Sequence, residues 1–194
     1  MHCGKSCLLP AALLLLPFLG GCQSTSPKML SQVPEELGER DWHQIVRARL
    51  PLYGQRNWIV IADAAYPASS RDGIETIVTG ADQVEVVRGV LQALDANKHV
   101  RPVVYTNAEL KFVPEQDAPG ITAYRERLAD IFNGRTVGAQ PHEQLIAKID
   151  QVGTNFRVLV LKTDMRLPYA AIFIQLDSAY WTAEAEKRLR DAQK

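Results

Sequence analysis

Gly54-Gln55-Arg56-Asn57-Trp58-Ile59-Val60-Ile61-Ala62-Asp63-Ala64-Ala65-Tyr66-Pro67 is the stretch whose reading decides the fold. From Trp58 to Asp63 the apolar residues run on without alternation, which marks a strand buried on both faces. Tyr66-Pro67-Ala68-Ser69-Ser70 stops that strand. Asp63 therefore stands at its carboxyl end, where open α/β sheets present their ligand-binding groups.

Outward from this strand, segments of helical and strand period alternate. Upstream, Glu35 to Tyr53 is predicted as a helix with Leu37, Ile45 and Leu52 as its apolar contacts. Downstream, Ile74 to Val78 is a short second strand. Asp82, three residues before Glu85 and just ahead of Val87, Val90, Leu91 and Leu94, caps a helix over Gln83 to Ala96. Val100 to Thr106 is a strand. Ile121, Tyr124, Leu128 and Ile131 form one helical stripe, and Leu145, Ile149 and Val152 another. Phe156 to Leu161 and Tyr169 to Leu176 are strands separated by the turn-like Lys162 to Pro168, and Thr182 caps a charged last helix. The pattern predicts a single α/β domain, residues 34–194, with a mixed or mainly parallel sheet flanked by helices. Its core lies at about residues 50–176 and its C-terminal helix at 182–194.

The N-terminal 33 residues read differently. Lys5 precedes an apolar run from Leu8 to Leu19 that is short of the ~20 residues a membrane span needs, and Pro10 and Pro17 interrupt it. Leu19-Gly20-Gly21-Cys22 follows and resembles a bacterial lipobox. The resemblance implies a lipoprotein signal peptide at 1–21 and lipidation of Cys22, which anchors the protein to a lipid membrane without spanning it. The other reading is an ordinary secretory signal with a chance cysteine. Residues 23–33 (QSTSPKMLSQV) are polar and aperiodic, as a tether would be. Gln23 and Ser24 lack the aspartate associated with inner-membrane retention, so by analogy the expected place is the outer membrane facing the periplasm of a Gram-negative host.

Composition excludes several chemistries. Lys5 is the one charged residue among 1–21, so the remainder holds 21 basic and 22 acidic side chains, one fewer basic than the whole chain's 22. That near-neutral balance with no dense basic run gives no footprint for nucleic acid. Cys3, Cys7 and Cys22 are the only cysteines. Nothing beyond Cys22 can form a disulfide or act as a thiolate. Walker, G-x-G-x-x-G, G-x-S-x-G and H-E-x-x-H motifs are absent, and no two of His43, His99 and His142 have metal-ligand spacing. The expectation is a site with neither metal nor cofactor.

Three side chains carry candidate chemistry. Asp63 can accept hydrogen bonds from sugar hydroxyls or orient a proton donor, and it can equally cap the turn that follows it. Tyr169, opening the last predicted strand, offers a phenol that donates or accepts, or packs. His142, in Pro141-His142-Glu143-Gln144-Leu145, can shuttle a proton near neutral pH or simply begin a helix.

The stretch from Gly54 to Pro67 resembles the opening of the D-ribose pyranase / L-fucose mutarotase family, which reads a Gly-His pair, a hydrophobic strand, Asp-Ala and a proline. Pro168-Tyr169-Ala170-Ala171-Ile172 is similar to that family's Pro-Tyr-Ala-Asn-Ile strand, and His142-Glu143-Gln144 to its His-Glu-Gln segment. The resemblance spans about Leu50 to Leu176. It implies a homo-oligomer that interconverts monosaccharide anomers or ring forms without a cofactor. Asp63 would then orient the sugar, Tyr169 would contact its hydroxyls or ring oxygen, and His142 would assist. The family's catalytic histidine is replaced by Gln55, which can hydrogen-bond a hydroxyl but cannot carry a proton. Its asparagine is replaced by Ala171 and a lysine by Ile146. Three readings follow: an envelope mutarotase or pyranase, a non-catalytic sugar-binding lipoprotein, and a scaffold that keeps the fold.

Overall fold

The computed structural model describes residues 41–194. The predicted signal peptide, Cys22, the predicted tether and the first part of the predicted first helix lie outside them.

Among the described residues six strands form one sheet: β1 (Trp58–Ala62), β2 (Ile74–Val78), β3 (Val100–Asn107), β4 (Val137–Gln140), β5 (Val158–Lys162) and β6 (Ile172–Ser178), in the order β2-β5-β1-β6-β3-β4. The sheet is mixed. β1 and β2 run parallel to β5, and β3 runs parallel to β4, whereas β6 is antiparallel to both β1 and β3. Among the described residues there are five α-helices: α1 (Trp42–Arg49), α2 (Gln83–Asp95), α3 (Ile121–Ile131), α4 (His142–Asn155) and α5 (Ala183–Ala192).

β1 explains its own unbroken apolar run. Ile59 and Ile61 pack on one face with α1, α2 and α3, while Trp58, Val60 and Ala62 pack on the other with Leu145 and Ile149 of α4. Every residue of β1 is buried. α2 begins where the sequence places it, with the Asp82 carboxylate accepting from Val84 N at 3.0 Å and Glu85 N at 3.2 Å.

Four boundaries depart from the sequence reading. Within the described residues the first helix is α1 alone, continued by a 3-10 turn over Leu50–Leu52 that begins at Pro51's neighbour. Its buried contacts are Trp42, Val46 and Leu50, spaced by four, and not the predicted Leu52, which is 76% exposed. Pro51 ends the helical register before Leu52 can share that face. Phe156 caps α4 instead of opening β5. Tyr169 lies in a loop ahead of β6, not in the strand. β4 went unpredicted, because four residues, Val-Gly-Ala-Gln, are too few to show a period.

Gly73 sits against α4's end, where an added Cβ would collide with the backbone oxygen of Gly153 and lie 2.8 Å from that of Phe156. Backbone cannot rotate away as a side chain can, so Gly73→Ala is expected to cost about 1–3 kcal/mol in chemical denaturation. Glu115 caps α3, accepting from Gly120 N at 2.5 Å and Thr122 N at 2.9 Å. Those backbone donors hold its carboxyl at about 2, against an ordinary 4.5. The capping contribution is complete above pH 4.5 and is lost as the pH falls through about 2. A carboxyl carbon titration of Glu115 with its midpoint near 2 is the expected result; an ordinary midpoint contradicts it.

Candidate functional site

β1, β3, β4 and β5 all end at one edge of the sheet, and antiparallel β6 begins there. The chain therefore delivers Asp63, Asn107, His142 and Tyr169 to the same edge. Ile61 and Thr106 both pair with Ile172, so the ends of β1 and β3 flank the start of β6. Two strand spacings, about 10 Å, separate them.

His142 is the first residue of α4, whose cap residue, Pro141, supplies no side-chain bond. The cap comes from Glu109, whose two carboxylate oxygens accept from His142 N at 3.0 and 3.1 Å. A carboxylate at a helix N-terminus also meets the positive end of the helix dipole. The bond from His142 N is the main reason the Glu109 carboxyl is held below its ordinary range. The His142 imidazole places Nδ1 3.1 Å from Asn107 Oδ1. It also meets the Tyr169 ring edge-to-face, with centroids 5.5 Å apart and planes at 83°.

Tyr169 adopts the left-handed conformation, φ 56°, and is 40% exposed. A non-glycine residue there costs on the order of 1 kcal/mol, so its surroundings must hold it. They do so through three successive carbonyls. Tyr169 O accepts from Asn107 Nδ2 at 2.9 Å, and Ala171 O lies 3.4 Å from the same nitrogen. Ala170 O accepts from Gln83 Nε2 at 2.5 Å and from the Tyr124 hydroxyl at 2.6 Å. Gln83 Nε2 also donates to the Tyr124 oxygen at 2.7 Å, and the Thr163 hydroxyl lies 2.9 Å from Gln83 Oε1. Burial pushes the Tyr124 phenol far up, so it stays a neutral donor. Tyr124→Phe removes one of two donors to Ala170 O and is expected to cost about 1 kcal/mol, read from the denaturation midpoint.

Asp63 does what its turn requires: Oδ1 accepts from Ala65 N at 2.9 Å, and its carbonyl accepts from Tyr66 N at 3.2 Å. Both readings of this aspartate stay compatible with the geometry, since no hydrogen bond to Oδ2 occurs among the described residues. Tyr66 lies buried nearby, its phenol pushed up to about 12 by burial and then by the Asp63 charge.

Gln55 is not with them. It precedes β1 at the opposite edge, where its Nε2 donates to Asp177 Oδ1 at 3.1 Å beside the Arg101–Asp177 ion pair. The length of β1 alone, about 13 Å, separates it from Asp63. Ala171 is buried, and Ile146 is half-buried beside Leu145 and Ile149. Cys22 lies outside the described residues. Among those residues no cluster of three or more His, Cys, Asp or Glu is placed to hold a metal ion, and no helix is long and apolar enough to cross a membrane.

Sequence reasoning missed Asn107, Glu109, Gln83 and Tyr124 as parts of this edge. Asn107 could have been found, because an amide at the carboxyl end of a strand stands where Asp63 does. Gln83 gave no signal; its role depends on a carbonyl 87 residues away.

Fold and site together define an α/β domain with a polar, histidine-bearing cluster at the carboxyl edge of a mixed sheet. No family model matches the chain, and no curated protein does. Three solved structures are similar to the chain at low identity. Bacillus subtilis RbsD complexed with D-ribose is 18% identical, with a TM-score of 0.49, covering 69% of this chain and 91% of its own. The fucose mutarotase from Streptococcus pneumoniae in complex with L-fucose is 17% identical, with a TM-score of 0.47, covering 76% and 98%. FucU from Bifidobacterium longum is 15% identical, with a TM-score of 0.45, covering 69% and 94%.

Proposed function

We propose that this protein binds a monosaccharide at the carboxyl edge of its sheet and interconverts the sugar's anomers or ring forms without a cofactor. One observation carries the reading: His142, Tyr169 and Asp63, far apart in sequence, come to one edge, with the His142 and Tyr169 rings in contact. Mutarotation needs a base for the anomeric hydroxyl proton and an acid for the ring oxygen. Loss of that proton and protonation of the ring oxygen break the ring C–O bond and give the open aldehyde. Rotation about the C1–C2 bond and reclosure, with both transfers reversed, give the other anomer; attack by a different hydroxyl gives another ring size. His142, through a neutral imidazole nitrogen that can accept a proton, serves as the base. Tyr169 contacts the ring oxygen, and the Asp63 carboxylate orients hydroxyls. The motifs around Asp63, His142 and Tyr169 support the same assignment.

Gln55 favours a second reading, a non-catalytic sugar binder, because an amide replaces a proton-carrying group. Within one chain it cannot reach the edge cluster; it takes part only if a second copy presents it, as a homo-oligomer could. Saturation-exchange NMR on ribose, fucose, galactose and glucose separates the readings. Accelerated anomer exchange for at least one sugar is the expected result. Calorimetric binding without exchange establishes the binder, and neither outcome for any sugar overturns both.

On the same reading the domain is held at the membrane by acylated Cys22, in the envelope and facing the periplasm. The expected result is detergent-phase partitioning of the whole chain that is abolished by Cys22→Ser.

A further inference from the structure

We infer that Asn107 is a positioning residue that fixes the tautomer of His142, leaving Nε2 as the free base at the edge of the sheet. The inference rests on the reading of His142 as the proton-transferring group, but it is derived from a different observation.

Asn107 is buried, 2% exposed, at the last position of β3. Its amide has one acceptor end and one donor end, and ordinarily either could face a given neighbour. Here the neighbours decide. Tyr169 O at 2.9 Å and Ala171 O at 3.4 Å are carbonyls and can only accept. The NH2 end must face them, because the reverse orientation would set Oδ1 against two carbonyl oxygens in a buried place. Oδ1 is thereby turned to His142 Nδ1, 3.1 Å away.

An amide oxygen accepts only, so Nδ1 must carry the proton. A neutral histidine has one N–H, so Nε2 keeps its lone pair. In water the imidazole of histidine favours the proton on Nε2, so the fold reverses the intrinsic preference. Glu109 leaves this assignment alone, since its carboxylate is taken up by the backbone N–H of His142 and not by the ring. The Tyr169 ring packs edge-to-face on the imidazole and limits its rotation. One amide thus links two functions: it stabilises the left-handed Tyr169 and aims the base.

The ring nitrogens of His142 report the tautomer directly in long-range proton–nitrogen NMR spectra of the protein without sugar. The expected spectrum above the histidine's titration has a protonated, pyrrole-like Nδ1 and a pyridine-like Nε2. A pyridine-like Nδ1 in the wild-type protein overturns the inference, whatever the protein does to sugars. Two variants separate aiming from bracing. Asn107→Asp keeps an acceptor facing Nδ1 while losing the donor to Tyr169 O, and it is expected to keep the Nδ1–H form. Asn107→Leu loses both and is expected to shift the population toward Nε2–H, with a loss of exchange rate on the order of 100-fold. An unchanged tautomer in a folded Asn107→Leu protein, judged by its dispersed amide spectrum, also overturns it. If the wild-type tautomer is as inferred but no sugar exchanges, the positioning stands and the proposed reaction falls.

Discussion

Replacing His142 by alanine is expected to slow anomer exchange by about 10²- to 10⁴-fold, the usual contribution of a positioned acid–base group. The substitution is informative because it leaves the architecture intact. The cap of α4 uses the backbone N–H of residue 142, which alanine retains, so Glu109 keeps its two hydrogen bonds. The imidazole is only half-buried, and its loss opens no core cavity. Stability should therefore change by no more than the ring's contacts with Asn107 and Tyr169, about 1 kcal/mol. A large fall in rate with an almost unchanged denaturation midpoint is the expected pair of results. An unaltered rate would remove His142 from the chemistry.

The largest stability effect is expected one residue further into the sheet from the same edge. Phe173 is fully buried at the second position of β6, paired with Val60 of β1 on one side and Tyr105 of β3 on the other. It belongs to the face that Leu145 and Ile149 of α4 cover. Truncation to alanine removes a ring from a site bounded by strands on both sides, where collapse is difficult, so Phe173→Ala should cost about 3–5 kcal/mol. Against a total stability of roughly 5–15 kcal/mol, that leaves a marginal protein. Urea unfolding should show a lower midpoint with an unchanged slope. A loss below about 1 kcal/mol would mean that α4 does not seal this face, and the placement of His142 at its start would lose its support.

Much of this was legible in the chain, for identifiable reasons. The unbroken Trp58–Ala62 run announced a strand covered on both faces, and two separate apolar clusters do cover it. The Asp82 cap and the stripe behind it announced α2. The edge that gathers Asp63, His142 and Tyr169 followed less directly, since it depends on β6 running antiparallel between β1 and β3, a pairing that no local pattern encodes. Leu52 was misjudged because helical periodicity was carried past Pro51. The hydrogen bonds that brace Tyr169 were hidden for a different reason. Gln83 and Tyr124 lie on helical stripes that read as ordinary amphipathic faces, and their polar ends matter only once Ala170 O is brought to them.

The central claim is that the carboxyl edge, and no other surface, receives a monosaccharide. Its most direct test is a map of amide and side-chain NMR shifts of the protein as D-ribose and L-fucose are added in turn. The account predicts saturable perturbations centred on Asp63, Asn107, His142 and Tyr169 for at least one of the sugars. Perturbations confined to the groove between α1 and α2, around Trp42, Gly89 and Ala93, or none with either sugar, would contradict it.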